Sequence, residues 1–65
     1  MSNLKRIRNE KNITQKELSE FSGVNIQMIQ KYEQGIKDIN KAQAETLYKL
    51  AKVLDCAIED LIEEA

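Results

Sequence analysis

A chain of 65 residues with 42% hydrophobic and 32% charged side chains has the size and balance of one small globular domain, residues 1–65, and not of a disordered tail. It contains no histidine and a single cysteine, so histidine acid–base chemistry, an internal disulfide and His/Cys metal clusters are excluded, and no metal or cofactor is expected. The formal net charge of −1 hides a gradient: residues 1–16 carry five basic side chains against Glu10, whereas residues 55–65 carry five acids and no base. Such a polarised molecule can turn one end toward phosphates while the other end repels them.

A domain of this size buries only about 60% of its unfolded surface, so nearly every apolar side chain has to serve the core. No apolar run is long enough to cross a bilayer, and the opening "MSNLKRIRNE" lacks the apolar stretch of a signal peptide, so a cytoplasmic, non-membrane protein is expected. Cys56, without a histidine partner, is expected to be a small apolar filler instead of a nucleophile.

The apolar spacing predicts an all-α fold of five short helices. The first covers about Asn3 to Lys11, with Leu4 and Ile7 inward, and stops near Asn12, which tolerates a left-handed backbone. The second opens with "TQKE", a capping box from Thr14 to Glu17, and points Leu18 and Phe21 at the core. "SGVN" then breaks the pattern: Gly23 permits a sharp turn, Val24 goes inside, and Asn25 caps the third helix, which runs to Gly35. After the loop "IKDINKAQAE", the fourth helix is expected to bury Ala44, Leu47, Leu50, Ala51 and Leu54. A fifth, from about Ala57, offers Ile58, Leu61 and Ile62. No alternating strand pattern and no Asn-Gly or Asp-Gly turn occurs.

On a helical wheel, Ile29 and Tyr32 of the third helix fall inward with Asn25, while Gln27, Lys31 and Gln34 fall opposite, flanked by Met28 and Gln30. That outward face holds amides and a lysine without an acid. A glutamine amide matches the adenine edge in a major groove, lysine suits guanine or phosphate, and Ile26 and Met28 can meet thymine methyl groups. The competing explanation is that glutamines are good helix formers on a wet surface. It accounts less well for amides placed directly after a capped break.

The stretch "TQKELSEFSGVNIQMIQKYEQG", with "LKRIRNEKNIT" before it and "LYKLAKVLDCAIEDLI" after it, resembles the Cro/C1-type (Xre) helix-turn-helix regulators, a family of lambdoid phage repressors and small bacterial regulators. The resemblance implies a compact five-helix, lambda-repressor-like domain that binds DNA through its second and third helices. It also implies that Ile26, Gln27 and Lys31 read bases, with Gln30 as a neighbour; Met28 joins these base-reading candidates from its place on the wheel. Gln15 takes the family's phosphate-contacting place, with Thr14, Lys16, Asn25, Gln34 and Lys37 around it. Arg8 and Glu33 match a structural salt bridge. Asn25 stands where the family usually has Ser, the loop lacks the proline common there, and apolar Ile26 leaves more to shape and methyl contacts.

Two functional readings follow from these residues. One is a sequence-specific transcriptional regulator, a repressor, bound to double-stranded DNA as a homodimer on a palindromic site, with Ile58, Leu61 and Ile62 as dimer candidates. The other is a protein-binding module such as an antitoxin or restriction-control component. No small-molecule ligand is evident, and neither a cofactor loop nor a carboxylate pair suggests an enzyme.

Overall fold

The computed structural model describes residues 2–63. α1 (Asn3–Glu10) begins where the Ser2 hydroxyl accepts the Lys5 amide, and the chain leaves it through Asn12 at φ +57°. α2 (Gln15–Ser22) carries the reciprocal cap read from its sequence: the Thr14 hydroxyl accepts the Glu17 amide at 3.0 Å, and the Glu17 carboxylate accepts the Thr14 amide at 2.9 Å. α3 (Ile26–Gln34) and α4 (Ala44–Leu54) follow, and no strand occurs among the described residues.

The fifth helix is a single 3-10 turn, Ile58–Asp60, opened by the Asp60 carboxylate accepting the Ala57 amide. Another such turn, Ile39–Lys41, sits inside the α3–α4 loop and is capped by Asp38. α4 ends on Asp55 at φ +53°, a left-handed stop made by a residue type that pays less than most for it.

α2 lies against both α3 and α4, and α1 closes over α3. The interior is aliphatic: Leu4, Leu18, Ile29, Leu50, Leu54 and Leu61 are shut off from solvent, with Ile7, Val24, Tyr32, Ile39, Leu47 and Ala51 completing the cluster. The segment that carries Leu61 is tied down by two asparagines. Asn3 donates its amide to the Glu63 carboxylate (3.1 Å) and its side chain to the Ile62 carbonyl (2.9 Å). The Asn40 side chain accepts the Glu63 amide at 2.8 Å and donates to the Glu63 carbonyl. These bonds satisfy backbone groups that a single 3-10 turn leaves open, and they hold Leu61 in its seat.

Four sequence expectations need correction. Phe21 is 67% exposed, not a core residue. It stands near the C-terminal end of α2 and, with Tyr48, Lys49, Lys52 and Val53 of α4, lines a shallow open groove. Ala44 is exposed because it is the first residue of α4, beyond the edge of the core, while Ile39 of the loop supplies a buried side chain that the helical period did not reveal. Leu61 is fully buried and cannot form part of a dimer surface, and Ile58 and Ile62 are themselves half buried against the core. Asn25, grouped with the inward side on the wheel, is exposed and caps α3.

Leu18→Ala is expected to cost about 2–5 kcal/mol, as for a leucine removed from a filled core. Phe21→Ala should cost less than about 1 kcal/mol, as at an open surface site. Urea unfolding of the two variants beside the parent checks this ordering.

Candidate nucleic-acid interface

The angle between α2 and α3 is set by a short, heavily pinned turn. Gly23 adopts φ +76°, a conformation that most side chains avoid, and closes α2 with its amide on the Ser19 carbonyl. The Ser19 hydroxyl donates to the Val24 carbonyl at 2.6 Å, and the Ser22 hydroxyl accepts the Val24 amide at 3.1 Å. Val24 is thereby held inside, and the Asn25 side chain accepts the Gln27 amide at 2.7 Å to start α3. Gly35 ends α3 at φ +79°.

α3 is locked to α1 by a bidentate ion pair. Arg8 donates Nε to Glu33 Oε2 at 2.7 Å and Nη2 to Glu33 Oε1 at 3.0 Å, and its Nη1 reaches the Ile13 carbonyl at 2.8 Å. The Glu33 side chain is only 3% exposed and that of Arg8 10%, so neither charge has much water to fall back on. The hydrogen bond to Glu33 holds the Arg8 guanidinium above its ordinary pKa, with burial pulling the other way. Among the described residues, no buried side-chain polar atom is left without a partner.

One contact was not legible in the sequence. Gln15, at the first position of α2, donates its side-chain amide to Glu33 Oε1 at 2.9 Å. Eighteen residues separate the two, and no local period links them. Arg8, the Ile13 carbonyl, Gln15 and Glu33 thus form one node joining α1, the α1–α2 turn, α2 and α3.

Outside this node, Gln27, Lys31 and Gln34 are exposed along one stripe of α3, as the wheel predicts. Ile26 and Gln30 are half buried at its margins. Met28 packs partly against the core, so less of it is free than its flanking position suggests. Thr14, Lys16, Asn25 and Lys37 are exposed at the ends of α2 and α3, while Gln15 is half buried. The acid of α3, Glu33, is turned inside and neutralised by Arg8, which leaves the outer face with amides and the Lys31 cation. Cys56 packs against the core, and burial, with Asp60 adding, raises its thiol pKa. Little thiolate exists there at neutral pH, which fits an inert filler. Among the described residues, no group of three or more cysteines and carboxylates is gathered as a metal site, and no helix is long and apolar enough to cross a membrane.

Two helices joined by three residues, Gly23, Val24 and Asn25, the second presenting its polar face outward, form a helix-turn-helix. A family model described as helix-turn-helix matches residues 4–61. The chain belongs to that family, the Cro/C1-type helix-turn-helix DNA-binding regulators. No curated protein matches the chain.

Removing one partner of the buried pair strands a charge, and Glu33→Ala is expected to lower stability by about 3–5 kcal/mol. Replacing both partners together (Arg8→Met with Glu33→Met) should leave stability close to that of the parent, because apolar side chains of similar volume fill the site without a desolvation cost. Thermal melts of the single and double variants distinguish these outcomes.

Proposed function

We propose that the protein is a sequence-specific transcriptional repressor that places α3 in the major groove of double-stranded DNA. The observation that carries this is the exposed, acid-free stripe of Gln27, Lys31 and Gln34 on a helix whose orientation is fixed by caps at both ends and by the Arg8–Glu33 pair. Gln27 and Lys31 offer hydrogen bonds to base edges, with Gln30 beside them and Ile26 and the free part of Met28 available to thymine methyl groups. Thr14, Gln15 and Lys16 at the start of α2, and Asn25, Gln34 and Lys37 at the ends of α3, supply phosphate contacts that fix register. A single module of this size covers little DNA, so two copies on a palindromic operator, with half-sites ~34–36 Å apart, complete the proposal. With Leu61 committed to the core, Ile58 and Ile62 remain as the dimer surface. The protein acts in the cytoplasm, at the nucleoid, as one domain over residues 1–65 and without catalysis.

A second reading rests on a different face. Phe21 (67% exposed) and Tyr48 (55% exposed) flank the groove between α2 and α4, a costly exposure for a domain short of core. That surface favours an adaptor or antitoxin-like contact with another protein. Salt separates the two: affinity through phosphates falls steeply as salt rises, and an apolar protein contact responds far less.

Gln27→Ala with Lys31→Ala is expected to abolish preference for the selected site, by about 1–3 kcal/mol for each lost base contact, while circular dichroism stays native. Lys37→Ala should instead leave the preference intact, weaken binding to all duplexes alike, and make the slope of log affinity against log salt shallower by about one. Competition binding between specific and scrambled duplexes over a salt series measures both.

A further inference from the structure

The Gln15 amide has two N–H donors, and Glu33, ionised beside Arg8, can only accept. Its carboxylate therefore decides which end of the amide lies inward: nitrogen toward Glu33 Oε1, at 2.9 Å, because the amide oxygen there would face another acceptor. Among the described residues this is the one hydrogen bond that the Gln15 side chain makes, so its second N–H is left over. Gln15 is also the first residue of α2, where the backbone N–H groups of the opening turn are without helical partners and carry the positive end of the helix dipole. Thr14 Oγ1 takes the Glu17 amide, which leaves the amides before it available.

We propose that Glu33 is a positioning residue for DNA binding: its buried carboxylate takes one N–H of Gln15 and thereby presents the other to a DNA phosphate at the start of α2. The same carboxylate is clamped by Arg8 through two bonds of 2.7 and 3.0 Å, so the position of the Gln15 donor is slaved to the packing of α1 on α3. The reading helix and the phosphate clamp then share one fixed point, and a shift of α3 carries the clamp with it. This rests on the DNA reading above, in which Gln15 already meets phosphate, and adds to it the group that aims the Gln15 donor.

The test is a cycle of variants titrated against a duplex selected from a random pool, read by fluorescence anisotropy. Gln15→Met in the parent chain is expected to weaken binding about tenfold, the loss of one hydrogen bond to a charged group. The slope of log affinity against log salt should stay unchanged, since a glutamine displaces no counterion, and the stability lost with the Gln15–Glu33 bond should leave the helices native at the titration temperature, as circular dichroism checks. In a chain already carrying Arg8→Met and Glu33→Met, the same Gln15→Met change should alter affinity less than about twofold, because the donor is no longer aimed. Should that background not fold, Glu33→Gln takes its place, measured where circular dichroism shows native helix. Its neutral amide no longer dictates the orientation of Gln15, and the effect of Gln15→Met should shrink there too. An equal loss in both backgrounds would overturn the positioning role, as would full affinity for Gln15→Met or a loss that tracks its melting temperature. Failure of the parent chain to prefer any duplex would instead overturn the DNA reading on which this stands.

Discussion

The geometry of this small domain depends on one buried ion pair. Arg8 and Glu33 bring α1 and α3 together over a bidentate contact, and the Ile13 carbonyl and the Gln15 amide add one hydrogen bond each around it. A buried pair is a poor device for stability, because desolvating two charges cancels most of their attraction. Its merit here is directional. An aliphatic core accepts several helix positions of similar energy, whereas a guanidinium fork accepts a carboxylate in few, so the pair fixes where α3 sits relative to the start of α2.

The rest of the molecule serves that geometry. The core is aliphatic and supplies the cohesion; Tyr32 is its one buried aromatic. Side chains, not length, stabilise the connections: Ser19, Ser22 and Asn25 hold the turn between α2 and α3, and Asn3 and Asn40 hold the segment ending at Glu63. Helices of eight to eleven residues are marginal alone, so caps and clamps of this kind matter more here than in a larger fold. Turning Glu33 inward has a second consequence. It removes the one acid of α3 from the outer face and leaves Gln27, Lys31 and Gln34 as a surface that a polyanion can approach.

Much of this could be read from the chain, because the signals are local. The Thr14–Glu17 box, the two glycines and the Leu47–Leu50–Leu54 period each act within a turn or two, and the helices they mark are present. The Arg8–Glu33 pair came from resemblance to the Cro/C1-type family, and its geometry is that of a buried bridge. What escaped depends on how elements end against one another. Phe21 has the period of a core residue, but α4 offers it only a rim. Ile39 lies in a loop with no period, yet is buried, and Leu61, a dimer candidate by sequence, is fully buried. The Gln15–Glu33 contact is of the same kind: two polar residues far apart in sequence, paired only because three helices converge.

The claim on which the account stands is that the face bounded by the start of α2 and the outer stripe of α3 is the one that meets DNA. Backbone amide shifts of the isotopically labelled chain, followed while a selected duplex is added, test it directly. The account predicts that the perturbed amides gather at residues 14–16 and 25–37, with α4 and the turn at Ile58–Asp60 little changed apart from any contact between copies. Shifts centred on Phe21, Tyr48 and Val53, or none at any duplex concentration, would contradict it.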